Sequence, residues 1–155
     1  MIRFAVLFVA GLAVIGCNSS EEETRGNKVE RTEADSLYGI IDKGHAIGMA
    51  KMAPLDRAEE KAKALLDSIQ KLPAKAQVAA EPYKAKLNTV LADVRDAKSR
   101  MDKWMTEFDW DWDTKKKDVK EQVDYLKSEI PKTDEMKAAI LNSLAKADSL
   151  WRQKF

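Results

Sequence analysis

The chain has 155 residues and a formal net charge of +1. Such a balanced charge argues against nucleic acid as a partner, because phosphate backbones are bound by a basic face. A single histidine, a single cysteine and the lack of a glycine-rich phosphate loop or a carboxylate metal motif argue against an enzyme. The length predicts one ordinary domain.

The N-terminus has the layout of an export signal. Arg3 gives a positive start and residues 4–15 are almost entirely apolar, a run shorter than the roughly 20 residues that span a bilayer. Gly16-Cys17, preceded by two aliphatic residues, resembles the lipobox of bacterial lipoproteins. This predicts a signal peptide over residues 1–16 and a lipid on Cys17, whose acyl chains would tether the domain to a membrane. A buried N-terminal helix with an ordinary cysteine is the alternative.

Residues 17–33 are predicted to form the lipidated cysteine and a flexible acidic tether, because they are polar and nearly free of apolar side chains. Asn18 follows the cysteine, so nothing resembles the inner-membrane retention signal of enteric bacteria, and the outer membrane is favoured. The acidic residues 21–23 resemble the tether that Bacteroidetes lipoproteins use to reach the cell surface. A plain solvated linker is the alternative, so surface display stays open.

Residues 34–155 are predicted to be all-α, as an antiparallel three-helix bundle running up, down and up, because apolar residues recur at helical spacing. A long coiled-coil hairpin is the alternative. The first helix should start near Thr32 to Asp35, either of which could cap it, and run to about Leu72. Pro54 predicts a kink, or two helices that meet near Ala53. The apolar stripe of this segment consists of Leu37, Ile41, His45, Met49, Met52, Leu55, Ala62, Leu65, Leu66 and Ile69.

The second and third helices carry similar stripes. Asp113 and Thr114 are predicted caps of the third helix, and Pro131 predicts either one kinked helix or two successive ones. The second stripe consists of Tyr83, Leu87, Val90, Val94, Ala97, Met101, Trp104 and Phe108, widened by Leu91 and Met105. The third consists of Val119, Val123, Leu126, Ile130, Met136, Ile140, Leu144, Ala147 and Trp151.

The spacing of His45 and the methionines after it, together with the second-helix run at residues 101–108 (MDKWMTEF), resembles a family of small Bacteroidetes lipoproteins often labelled viral A-type inclusion proteins. The resemblance covers roughly residues 37–151. Family members tend to have an Asp after the histidine and a proline after the first methionine, where this chain has Ala46 and Ala50. The resemblance therefore implies an envelope lipoprotein with a helical fold, without an established activity to transfer.

The histidine and several methionines form a candidate metal site. His45, Met49 and Met52 lie at i, i+4 and i+7 of the first helix, and Met101 and Met105 lie at i and i+4 of the second. One imidazole with several thioethers is a soft, neutral donor set that suits Cu(I) better than zinc, magnesium or calcium. The alternatives are ordinary core packing by methionine, or a haem held by the histidine and one methionine.

Antiparallel pairing decides whether these residues meet. With a turn at Pro73 or Pro82, both helix faces fall in the same layer of the bundle, which Val119 and Val123 of the third segment should close. Gly44 and Gly48 flank the histidine and could leave room for an ion, although glycine inside a helix costs about 1 kcal/mol relative to alanine.

Trp110 and Trp112 stand between alternating aspartates. Exposed, they would form a platform for an envelope protein or a glycan partner; packed inward, they would cap the open end of the bundle. The sequence as a whole favours a non-enzymatic lipoprotein with a binding or interaction role, possible Cu(I) binding included. A purely structural scaffold that contacts its partner through the bundle surface or the Trp loop is the alternative.

Overall fold

The computed structural model describes residues 32–116 and 118–153. The predicted signal peptide, Cys17 and nearly all of the predicted tether lie outside these residues. The described helices are α1 (Glu33–Met49), α2 (Met52–Gln70), α3 (Ala74–Glu107), α4 (Trp112–Lys115) and α5 (Val119–Trp151). The described ranges contain no strand, so the all-α prediction is confirmed. None of the described helices is both long and apolar enough to cross a membrane.

Three arms make the bundle: α1 with α2, then α3, then α5. Lys127, near the start of α5, pairs with Glu33 at the start of α1 at 2.8 Å, so these two helices run in the same direction. Lys86, early in α3, bonds Gln153 just beyond α5 at 2.9 Å, so α3 runs opposite to α5. The predicted up, down and up bundle of three arms is confirmed.

The first arm changes its neighbour halfway along. α1 packs mainly on α5, whereas α2 packs mainly on α3 and only lightly on α5. The change falls at residues 50–51, where the Lys51 N–H bonds the carbonyl three residues back at 2.9 Å and closes the last turn of α1. Pro54 is the third residue of α2, where a missing N–H is tolerated. Two helices meeting near Ala53 is therefore the correct alternative, although the break precedes the proline.

The cap predicted for the first helix is present, whereas the caps predicted for the third helix are not. The Thr32 hydroxyl accepts from the Asp35 N–H at 3.1 Å, and the Asp35 carboxylate accepts from the Thr32 N–H at 3.1 Å. This reciprocal pair caps α1 as predicted. Asp118 caps α5 through the N–H two residues on. Asp113 and Thr114 lie inside α4 instead, so their predicted role as caps of the third helix is wrong.

Two prolines lie inside long helices. α3 begins at Ala74, directly after Pro73, and contains Pro82. The connection from the first arm to the second is therefore short. α5 continues through Pro131 as one helix, so the single-helix alternative for the third segment is correct. Each internal proline leaves one carbonyl of the preceding turn without its helical donor.

Most stripe residues form the core, with two clear exceptions. Met49 is 45% exposed and Val119 is 64% exposed, so their predicted inward positions are wrong. Met49 ends α1 where the arm turns from α5 towards α3, and Gly48 takes the inner position. Val119 begins α5 and extends past the packed layers. The largest side chains that are almost completely buried are Ile41, Leu55, Leu87, Met101, Leu126, Ile140 and Val94.

Glycines let α1 approach α5 closely. A Cβ on Gly44 would lie 2.6 Å from the γ-methyl of Thr133. A Cβ on Gly48 would lie 2.5 Å from the Met101 methyl and 3.1 Å from the Met136 sulfur. Cβ atoms essentially never lie within 3.0 Å of such an atom, so Gly44 sets the spacing between α1 and α5, whereas the atom closest to Gly48 ends the flexible Met101 side chain of α3.

Candidate functional site

Aromatic rings fill the end of the bundle where α1 begins and α3 ends. The His45 ring centroid lies 5.1 Å from that of Trp104 and 5.8 Å from that of Trp110. Trp104 also stacks on Phe108 at 5.0 Å. This group is called the aromatic cluster below and comprises Tyr38, His45, Trp104, Phe108, Trp110, Trp112 and Tyr125.

Two polar atoms inside the cluster have no hydrogen-bond partner. In the described part of the chain, Nε2 of His45 and Nε1 of Trp104 are both buried and unpaired. An unsatisfied buried polar group costs about 1–3 kcal/mol. Nearly all buried polar groups in native proteins are satisfied by protein, water or a ligand. The indole Nε1–H of Trp104 is a donor that needs an acceptor, whereas the Nε2 of His45 can also act as an acceptor, so the histidine nitrogen is the one that bears on a cation.

The packing of the first arm explains why large rings collect here. Because α1 leans on α5, α1 and α3 meet mainly through long side chains at this level. The His45 and Trp104 rings occupy that wider space. Trp110 folds back over the end of α3, where its indole N–H donates to the Met105 carbonyl at 3.0 Å. The imidazole thus contacts two indole rings, that of Trp104 at a tilt of 34° and that of Trp110 edge-on at 63°.

The loop after α3 is held by charge and by one tyrosine. The Asp109 N–H donates to the Tyr125 hydroxyl at 2.7 Å. Lys116 and Lys115 lie 2.8 and 3.0 Å from the Asp109 carboxylate. These ammonium groups, Lys116 first, lower the pKa of Asp109 to about 2. The loop that presents Trp110 is therefore fixed at both its start and its end.

The predicted metal-site residues are only partly brought together. Met101 is completely buried with its methyl against Gly48. Met52 and Met105 are half-buried at the margin of the core. Met49 is exposed and does not take the inner position predicted for it.

One methionine of this layer was missed by the sequence analysis. The Met136 sulfur lies at the same Gly48 notch as the Met101 methyl, and Met136 is 2% exposed. The sequence pattern assigns Met136 to the third apolar stripe and not to the metal site, since that site was predicted from the pairing of the first two helices alone. Its helical spacing from Ile140 was the available signal.

The two tryptophans of the loop do not form an exposed pair. Trp112 is 8% exposed and its ring packs 5.5 Å from that of Tyr38. Trp110 is 49% exposed, with its ring edge-on to Phe108 at 4.8 Å. Of the two alternatives for this pair, the exposed platform does not hold for Trp112, because the short α4 turns it inward. Both rings close the end of the bundle.

Within residues 32–116 and 118–153, no three histidine, cysteine or carboxylate side chains come together as a metal site. The candidate soft donors are the imidazole of His45 in the aromatic cluster and the thioethers of Met101 and Met136 at Gly48, one turn further along α1. Comparison with family models, curated proteins and solved structures gives no match for this chain. A functional assignment therefore rests on the residues themselves.

Proposed function

We propose that the chain is an envelope lipoprotein with a non-enzymatic binding role. In this proposal the signal peptide is removed before Cys17, and a lipid on that residue anchors the protein in the outer membrane. The support is the sequence itself: a positive start, an apolar run and a small residue directly before the cysteine. Multiple acyl chains give stable attachment without a spanning helix.

The anchor is tested by Cys17→Ser. The variant lacks the thiol that takes the lipid, so it should remain unprocessed or leave the membrane fraction. The wild-type protein should carry acyl mass on residue 17 in mass spectrometry. A mature wild-type protein without that mass would contradict the anchor proposal, whatever the bundle binds.

The binding role that we propose for the bundle is capture of a soft monovalent cation, with Cu(I) as the ion. The observation that carries it is the buried, unpaired Nε2 of His45. With its proton on Nδ1, the imidazole would offer an Nε2 lone pair, and such a nitrogen with the neutral thioethers at Gly48, one turn further along α1, suits a soft ion better than hard divalent ions. Met101 and Met136 supply thioethers at the Gly48 notch, so they replace Met49 in the proposed ligand set.

The indole rings support the same ion. Trp104 and Trp110 lie within 5.8 Å of the His45 ring, centroid to centroid. A cation within about 6 Å of an indole face is attracted by the ring quadrupole, by about 2 kcal/mol or more when it is desolvated. A monovalent ion bound at the imidazole on the side of Trp104 would gain from that indole face without needing a carboxylate.

The test is titration of the purified, detergent-solubilised protein with Cu(I) under reducing conditions. We expect about one ion per chain and quenching of tryptophan fluorescence, with little response to Zn²⁺. His45→Phe keeps a ring in the cluster but removes the nitrogen, so it should lose the ion. Met101→Leu with Met136→Leu should also lose it, at a stability cost usually under ~1.5 kcal/mol per residue.

Met49→Leu is the matched control, because this side chain is exposed. It should bind Cu(I) as the wild type does. No uptake by the wild-type protein, or equal uptake by His45→Phe, would contradict the metal proposal and leave the methionines as core residues.

The second candidate function is a structural scaffold that contacts a protein or glycan partner. The observation in its favour is Trp110, which is 49% exposed at the end of the bundle. Exposed aromatic rings are enriched where partners bind. Trp110→Ala should then weaken partner binding in the envelope without changing membrane attachment, as measured by co-purification after cross-linking. Unchanged co-purification would remove the Trp loop from this role.

A further inference from the structure

A groove lies between α2 and α5 on the half of the bundle away from the aromatic cluster. Its volume is about 450 Å³. It exists because α2 leans on α3 and meets α5 only lightly. It is called the cationic groove below, and the residues used in the argument are Lys51, Arg57 and Lys61 on α2 and its cap, with Leu141, Leu144 and Trp151 on α5.

The cations of this groove lack carboxylate partners. Most described lysines and arginines pair with an Asp or Glu, but the structure pairs neither Lys51 nor Arg57 within its described residues. Lys61 lies over the Trp151 ring, 4.6 Å from its centroid. Asp148 is the one acidic residue lining the groove among the described residues. The groove therefore carries excess positive charge in a chain that is close to neutral overall.

The opposite wall is largely apolar. Leu141 is 39% exposed, Leu144 is half-buried beside it, and the half-buried Trp151 ring lies under the Lys61 ammonium. Such a wall buries the apolar face of a helix well. Cations on one wall and leucines on the other match a ligand that is acidic along one edge and apolar along the next.

We propose that the cationic groove binds an acidic amphipathic helix of a protein partner. At about 1.5 Å per residue, Lys51, Arg57 and Lys61 are spaced by roughly 9 and 6 Å along the arm. Acidic residues about one and about two turns apart on a partner helix would meet them. The groove then takes about three turns of helix. This proposal does not depend on the metal site.

The test is selection from a phage-displayed library of helical peptides with randomised surface positions. The target is the purified, detergent-solubilised protein. Selected peptides should carry Leu, Ile or Phe at i, i+3, i+4 and i+7, flanked by Glu or Asp. Their binding, measured by fluorescence anisotropy, should weaken as salt rises.

Charge reversal locates the site. Arg57→Glu with Lys61→Glu should weaken the selected peptides at least tenfold. Lys71→Glu with Lys75→Glu is the matched control, because both side chains are exposed, have no carboxylate partner among the described residues and lie outside the groove. This control should bind as the wild type does. Circular dichroism should show equal helix content in both variants.

Three results would overturn the proposal. Selected peptides could lack acidic residues, or they could bind the groove variant as tightly as the control variant. Alternatively, polygalacturonate could bind the wild-type protein and lose binding to the groove variant, while the library yields no groove-dependent peptide. That last result would assign the groove to an acidic glycan.

Discussion

Alanine at each glycine of α1 tests how closely this helix approaches α5. All three positions are helical, so each alanine gains about 1 kcal/mol of helix propensity. At Gly39 a Cβ would meet nothing within 4 Å. The full gain should therefore appear there, and Gly39→Ala should raise the free energy of unfolding by about 0.5–1 kcal/mol.

Gly44→Ala should have the opposite effect. Its Cβ would lie 2.6 Å from the γ-methyl of Thr133, which is 2% exposed. This methyl cannot rotate away freely, since the Thr133 hydroxyl donates to the Glu129 carbonyl at 2.9 Å. Overpacking costs about 1–3 kcal/mol, which exceeds the propensity gain. We expect a net loss of about 1 kcal/mol. Gly48→Ala should fall between the other two variants, because the methyl of Met101 ends a flexible side chain.

The measurement is urea unfolding of the three variants, with the midpoints compared at a constant m-value. Thr133→Ser removes the obstructing methyl and keeps the hydroxyl. Adding it to Gly44→Ala should recover most of the lost stability, as a coupling between the two sites. If Gly44→Ala is as stable as Gly39→Ala, then α1 does not pack on α5 at the distance described.

Two further predictions concern stability. Val94 is completely buried, so Val94→Asp should destabilise the bundle by several kcal/mol. Val78 lies on the same helix but is 73% exposed, so Val78→Asp should change the free energy of unfolding by about 0.5 kcal/mol or less. Similar losses for the two variants in urea unfolding would contradict the assigned faces. Lys63 first and then Arg95 help to lower the pKa of Glu59 from 4.5 to about 2, so its stabilisation is complete above pH 4.5 and is lost as the pH falls towards 2. Glu59→Gln should flatten this part of the pH dependence in thermal unfolding, and an unchanged profile would show that the carboxylate is not held by these cations.

Local signals predicted the helices well. The stripe of the second arm has an unbroken helical period, and its buried residues extend from Leu87 to Phe108 as expected. Thr32 and Asp35 form the cap that their spacing predicted. The break in the first arm was harder to place, because Ala50 and Lys51 have no intrinsic preference for ending a helix. Their position is set by where the arm leaves α5 for α3, which is a tertiary effect.

The sequence predicted those site residues whose positions depend only on how the first two helices pair. Antiparallel pairing correctly predicted that Met101 faces the end of α1 near Met49, where it contacts Gly48, one turn after the histidine. Met136 and the inward turn of Trp112 depend on the rotation of α5 and on a four-residue helix. Neither feature follows from the period of a single stripe. The outward position of Met49 has the same origin, since it depends on the break that follows it.

The crossing of the first arm gives the two functional surfaces one physical origin. A straight arm would lie equally on both neighbours, but here α1 favours α5 and α2 favours α3. Each half is therefore left with one wide space. In the half with α1, the rings of His45, Trp104 and Trp110 fill it and leave two nitrogens unpaired. In the half with α2 a single described ring, that of Trp151, lies at the groove, and cations line the rest of one wall. The rings exclude water from the space beside α1, so we expect that half to suit a small desolvated ion. The groove beside α2 is open to solvent, so we expect that half to suit a charged partner helix.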